Sequence, residues 1–189
     1  MSIEQNKERF ISILRENITR HGIENLIEWL VKTDFFDAPA STRYHAAYAG
    51  GLCQHSLNVY DVFMEKHFDE SEETRESVAL VTLLHDLCKA NFYKLSKRNQ
   101  KIDGRWQEVD FYSIEDLFPY GHGEKSVFLI ERFMKLKIDE ACAIRWHMGG
   151  FDDSVKAGSF SLSAAFEKYP LCVKTHISDL EASYLREEK

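Results

Sequence analysis

The chain has no compact cysteine motif. Cys53, Cys88, Cys142 and Cys172 are widely separated and include no CxxC pair, so neither a tight disulfide framework nor a cysteine-built zinc site is expected. No apolar stretch approaches the roughly 20 residues of a membrane span, so no membrane is expected among its partners. The opening Met1-Ser2-Ile3-Glu4-Gln5-Asn6-Lys7 lacks the basic and then apolar pattern of a secretion signal. Together these absences predict a soluble protein of a reducing, cytoplasmic compartment, with Cys53 and Cys88 as buried thiols. Basic charge is also short: 24 Lys and Arg against 31 Asp and Glu leave a formal net charge of -7. That balance argues against a protein that coats nucleic acid nonspecifically, and it leaves room for a local basic pocket that holds a phosphate. No repeat, low-complexity tract or linker interrupts the chain, so residues 1–189 read as one domain.

Hydrophobic residues make up 44% of the chain and charged residues 29%, a balance suited to a globular fold with a substantial core. Most of the pattern is helical. Ser2 with Gln5 reads as a capping box opening a helix through about Ile18, with Phe10, Ile13, Leu14 and Ile18 at helical spacing. A short helix is expected from about Ile23 to Val31, then an irregular stretch from Asp34 to Tyr48 around Pro39. After Gly50-Gly51, Leu52, His55, Val59, Val62 and Phe63 share a helical face. Ser71 is expected to cap the next helix, which runs to about Lys89. Asp103-Gly104 is a two-residue hairpin turn, and a small β-hairpin is expected between helices at about residues 91–112. Helices resume at about Glu124–Leu136 and Asp139–His147, and Pro170 opens a last one reaching about Arg186, with Val173, Ile177 and Leu180 on its apolar side.

Against this background, six residues stand in order along the chain: His55, the adjacent pair His85-Asp86, His122, His147 and Asp179. Imidazole nitrogens and carboxylate oxygens are ligands for intermediate divalent metals. The adjacent pair is the sharpest element, because it ends the apolar run Val78-Ala79-Leu80-Val81-Thr82-Leu83-Leu84. Polar groups buried there must be hydrogen-bonded, ion-paired or bound to a metal. Taken singly, a histidine on a helix is most often a hydrogen-bonded core or surface residue, and His21 and His67 read that way. His176, three residues before Asp179, is read as its hydrogen-bond partner or as structural. Widely separated ligands also signal less than a compact motif such as HExxH.

These residues resemble the HD-domain superfamily of metal-dependent phosphohydrolases, whose hallmark is a His, then a His-Asp pair, then a distant Asp. His55 in Gly50-Gly51-Leu52-Cys53-Gln54-His55, the pair in Leu83-Leu84-His85-Asp86-Leu87-Cys88-Lys89, and Asp179 in His176-Ile177-Ser178-Asp179 match it. His122 in Gly121-His122-Gly123 and His147 in Trp146-His147-Met148 match the two further histidines of two-metal members. The resemblance covers about residues 38 to 185. Ala38-Pro39-Ala40, His45 and Gly50-Gly51-Leu52 are similar to the HD portion of bacterial 3′–5′ exoribonucleases, which carry in addition an OB-fold for which this chain has no room.

The resemblance implies an all-α, HD-domain-like helical bundle with one or two divalent ions (Mn, Fe, Ni, Co, Zn or Mg). It implies that His55, His85, Asp86 and Asp179 hold one ion, and that His122 and His147 hold a second bridged by Asp86. The implied reaction is hydrolysis of a phosphate ester, of a nucleotide or another small phosphorylated compound, by a metal-bound hydroxide. Asp86 and Lys89, a lysine common in the family, are the expected catalytic residues. Arg43, His45, Lys94, Lys125 and Arg145 are candidates for gripping the substrate, each with the alternative of a solvated surface charge. The hairpin, with Lys97, Arg98, Lys101 and Arg105, either overhangs the site or is kept soluble by those charges, with Trp106 and Phe111 packed below. Competing functions are a nuclease or phosphodiesterase for single-stranded nucleic acid, a noncatalytic nucleotide-binding module, and iron-dependent oxygenase chemistry.

Overall fold

A computed structural model describes residues 2–187. Helix α1 (Ile3–Asn17) opens on the capping box: the Gln5 backbone N–H donates to Ser2 Oγ, and the Ser2 N–H donates to Gln5 Oε1 at 2.9 Å. It buries Phe10, Ile13 and Leu14, and α2 (Ile23–Lys32) adds Leu26, Ile27 and Leu30. The turns that follow carry Phe35 and Phe36, whose rings pack on Phe10 at 5.3 and 5.5 Å between centroids.

Helices α3 (Gly51–Lys66) and α4 (Arg75–Leu84) form the centre, and every residue from Ser77 to Leu84 is buried. The cap of α4 is Thr74, whose hydroxyl accepts the Ser77 N–H at 3.1 Å. Ser71 does not cap it; its backbone N–H and hydroxyl both donate to Asp69 in the preceding turn. Nor does α4 reach Lys89. It ends at Leu84, His85 is its last helical-geometry residue, and a single 3-10 turn covers Leu87–Lys89.

Strands β1 (Tyr93–Ile102) and β2 (Arg105–Ile114) form an antiparallel hairpin in which Ile102 pairs with Arg105. The turn residues Asp103 and Gly104 have φ of +49° and +80°, as a two-residue turn matching strand twist requires. The hairpin stands two residues later than the sequence suggests and projects from the bundle. Trp106 does not pack below it but is 72% exposed. Arg98 lies 5.0 Å over the Phe111 ring, and Lys97 pairs with Glu108 within the hairpin.

Helix α5 (His122–Glu131), α6 (Ile138–Trp146) and α9 (Pro170–Glu181) close the bundle, with α6 packed on α4, α5 and α9. Two short helices, α7 (Asp153–Lys156) and α8 (Ser161–Lys168), occupy the stretch between His147 and Pro170, where the sequence pattern predicts no helix. The buried side of α9 is Leu171, Cys172, Thr175 and Ser178, rather than Val173, Ile177 and Leu180. Small and polar residues face inward there because α9 packs directly on α3 and α6. A five-residue π-turn, Ala182–Arg186, follows α9. The result is an all-α bundle with one small inserted hairpin. Its main core runs from Phe10 to Cys172.

Candidate metal centre

Two helix ends aim the centre. His85 and His147 are the C-terminal cap residues of α4 and α6, and each turns its Nδ1 back on the carbonyl three residues earlier. His85 Nδ1 lies 2.7 Å from the Thr82 carbonyl oxygen, and His147 Nδ1 lies 2.7 Å from that of Ile144. A carbonyl only accepts, so each Nδ1 carries a proton, and Nε2 is the ring atom that each histidine turns inward. The same contact satisfies a carbonyl that the helix end leaves open. His55 is prepared in the same sense from α3: its Nδ1 faces Glu187 Oε1 at 2.9 Å, which turns Nε2 to the centre. His122 is the first residue of α5. Its position depends on Gly123, where a Cβ would collide with the Arg145 backbone, so only glycine lets α5 approach α6 this closely.

Asp86 stands in the middle. Its Oδ1 lies 2.8 Å from His122 Nε2 and 3.5 Å from His147 Nε2. Its Oδ2 lies 2.7 Å from Lys89 Nζ, 3.4 Å from His85 Nε2 and 3.7 Å from His55 Nε2. Asp179, on α9, brings Oδ1 to 3.2 Å from His55 Nε2. All six residues singled out in the sequence therefore converge. His55, His85, Asp86 and His147 are buried, and His122, with 30% of its side chain exposed, forms the open side.

The electrostatics suit a cation. Burial opposes ionisation of Asp86, yet Lys89 and His85, with His122, hold its carboxyl well below the usual range. Burial likewise opposes the charge on Asp179, and His55 outweighs it to pull that carboxyl down. Burial lowers both His85 and His122, keeping them neutral and able to ligate. For His55 the carboxylates of Glu187 and Asp179 overcome burial and push it up to about 10. Lys89 is raised in the same way by Asp86 against its own burial.

The donor set fits a metal ion. His55 Nε2 lies 3.2 Å from both His85 Nε2 and Asp179 Oδ1, so without a metal a proton on His55 Nε2 serves these acceptors, and a cation would take that proton's place. The buried Nε2 of His147 makes no hydrogen bond among the described residues. A buried acceptor left without a donor is costly, and a cation among these nitrogens and carboxylates removes that cost. Ligand atoms of His55, His85 and Asp86 lie within 4.8 Å of one another, as do those of His85, His147 and Asp179 and those of Asp86, Cys88 and His122. The buried cluster can hold a metal ion.

Glu187 is the neighbour that sequence reading missed, whereas Cys88 is the buried thiol that was expected. Cys88 Sγ lies 3.4 Å from His122 Nδ1, and burial pushes its thiol up to about 12. Glu187 sits far along the chain in a polar tail whose composition gives no signal. His176 does not partner Asp179: its Nδ1 faces the His147 carbonyl oxygen at 2.6 Å.

The candidate substrate contacts divide. His45 packs against His55 at 4.9 Å between rings, and burial, then the charge on His55, lowers it to about 4. Arg145 lines a cavity of about 350 Å³ with His122, Met148, Phe151 and Lys156, but its guanidinium is held by Asp152 and Glu124. Lys125 is buried under Phe92 and Phe118 and paired with Asp116 at 2.6 Å. Lys94 pairs with Glu115 on the hairpin, and Arg43 donates to the Tyr44 hydroxyl. These last three have partners away from the centre.

Comparison with protein-family models, with curated proteins and with solved structures returned no match. What fold and cluster define is a class: an all-α protein with a buried imidazole and carboxylate centre able to hold a metal. Among the described residues, no helix is long and apolar enough to cross a membrane.

Proposed function

We propose that the protein is a metal-dependent phosphohydrolase, as its likeness to the HD-domain superfamily implies, acting on a nucleotide or another small phosphorylated compound. The observation that carries this reading is the division of Asp86. One carboxylate oxygen faces His122 and His147, while the other faces His55, His85 and Lys89. That division suits a carboxylate shared between two cation positions. A divalent ion held there supplies Lewis acidity and lowers the pKa of a nearby water toward neutrality.

The chain's own residues do the rest. His85 and His147 keep their Nε2 atoms free because backbone carbonyls hold their Nδ1 protons. An ammonium carries three protons, and Lys89 has committed one to Asp86 at 2.7 Å. Its others are available to a phosphate oxygen brought beside Asp86, where a fixed positive charge stabilises the growing negative charge of the transition state. The cavity beside His122 receives the remainder of the ester. Arg145, fixed by two carboxylates, braces its wall rather than gripping the substrate. The imidazole-rich set favours manganese, iron, cobalt, nickel or zinc over magnesium.

A screen of phosphate monoesters, diesters, mononucleotides and single-stranded RNA and DNA, run in parallel with manganese, iron, nickel and magnesium, tests the proposal. Turnover of a small ester or nucleotide is expected. Cleavage restricted to single strands would make the protein a nuclease instead. A metal-loaded protein that hydrolyses nothing would leave a noncatalytic module.

A further inference from the structure

We infer that Glu187 is a positioning residue for the metal centre, acting through His55. This rests on the metal-binding part of the proposed function and assigns a task to a segment that the ligand motif does not include. Glu187 Oε1 lies 2.9 Å from His55 Nδ1, and its side chain is 1% exposed. The same oxygen accepts a hydrogen bond from the Asn58 side-chain amide at 3.0 Å. Asn58 stands on α3 one turn beyond His55, so a single helix supplies both the ligand and the group that aims the carboxylate at it.

The segment carrying Glu187 is docked, not draped. The π-turn places Ala182 against Val59 and Val62 of α3, and the three form a small buried cluster of their own. Arg186 pairs with Glu65, and Glu181 pairs with Lys66, both on α3. Four residues of α3 thus hold the strap by packing or charge, and Glu187 is delivered at its end. A carboxylate is an acceptor only, so it requires the His55 proton on Nδ1 and leaves Nε2 to the centre. It also raises the basicity of the ring, and with it the strength of the ligand. His85 and His147 receive the same service from neutral carbonyls on their own helices. His55 sits inside α3, where the carbonyls are already bonded within the helix, rather than at its C-terminal end, so its partner must come from elsewhere in the chain.

The test is zinc affinity by competition with a chelator, without any phosphate compound, on the full chain and on Glu187→Ala, Glu187→Gln and Asn58→Ala. Glu187→Ala is expected to lose about ten- to a hundredfold in affinity, the usual cost of removing a ligand's supporting partner. Glu187→Gln, which keeps an acceptor oxygen, is expected to recover part of that loss. Asn58→Ala, which leaves the carboxylate but not its anchor, is expected to fall between. It carries the test alone if Glu187→Ala does not fold. In the zinc-loaded protein the His55 Nδ1–H should give a downfield, slowly exchanging proton resonance that Glu187→Ala abolishes. A merely structural strap would not move that signal. Unchanged affinity, or a resonance that survives the substitution, overturns this inference alone. A wild-type chain that takes up no zinc or other divalent ion overturns it together with the proposed function. Failure of hydrolysis with metal affinity intact overturns only the latter.

Discussion

Lys89 Nζ lies 2.7 Å from Asp86 Oδ2, and both side chains are withdrawn from solvent. A buried ion pair of this kind adds little net stability but is costly to break from one side, about 3–5 kcal/mol, because the remaining charge is left uncompensated. Lys89→Met should therefore lower the thermal midpoint of the metal-free protein clearly. A bound cation compensates Asp86 in its place, so the loaded variant should lose much less stability while hydrolysis falls by about 10²–10³-fold. Calorimetry with and without metal, beside a rate assay, separates the two effects. A variant with wild-type turnover would remove Lys89 from the reaction.

Asp86 contacts every ligand side chain of the cluster except Asp179 in the distances above. Asp86→Ala is expected to abolish both metal uptake and hydrolysis while leaving the helical circular dichroism intact. Elemental analysis after purification without chelator provides the check. Full metal content in this variant would show that the histidines and Asp179 hold the ion without Asp86.

Metal removal should be visible in stability as well as in activity. The buried Nε2 of His147 makes no hydrogen bond among the described residues, so the centre is incompletely satisfied without a cation. A ligand that binds only the folded chain adds about 2.7 kcal/mol at one hundred times its Kd. For a chain of this size that corresponds to a rise of about 5–10 °C in Tm. A thermal melt that does not respond to manganese, iron or zinc after chelator treatment would contradict the geometry.

How much of this was legible beforehand depended on where each residue's partner lies. The His85-Asp86 pair announced itself because two polar groups close a fully apolar run, and the hairpin because Asp103-Gly104 demands positive φ at both positions. The Ser2 and Gln5 box is local and was legible for the same reason. Lys125, Lys94 and Arg145 looked like free cations because their counter-charges, Asp116, Glu115 and Asp152, become neighbours only after folding. Glu187 was invisible on the same ground, being 132 residues from His55. Helix α8 escaped notice because it buries only Ala165, too little for an apolar period to show.

Acid sensitivity should also arise at Glu140, at the opposite end of α6 from His147. Glu140 is fully buried on α6 and accepts hydrogen bonds from Arg20 at 2.6 and 2.7 Å, from the Ser77 hydroxyl at 2.7 Å and from the Lys137 N–H at 2.8 Å. Burial opposes its charge, but Arg20 and these donors bring its carboxyl below its ordinary value. Because the folded value is depressed, this stabilisation is complete above the unfolded pKa of about 4.3 and is lost as pH falls through the folded value. Glu140→Gln should cost about 3 kcal/mol at pH 7, the low end for breaking a buried pair. The gap between variant and wild type in denaturant melts should shrink below about pH 4. A gap that stays constant with pH would mean that shape, not charge, holds this site.

The last expectation concerns Gly149, which joins α6 to the turn behind the centre with φ +52°. A Cβ there would collide with the His176 ring, whose Nδ1 holds the His147 carbonyl at 2.6 Å. Gly149→Ala therefore carries two separable penalties. One is the left-handed backbone, about 1 kcal/mol for an L-residue. The other is displacement of His176, which pulls on the residue that presents His147 Nε2. His176→Ala removes the ring and with it the second penalty, so the double variant should be more stable, and bind metal more tightly, than the sum of the single changes allows. A coupling of more than about 0.5 kcal/mol in that cycle is expected for groups in contact. Strict additivity would show that Gly149 acts through its backbone alone and that His176 does not brace His147.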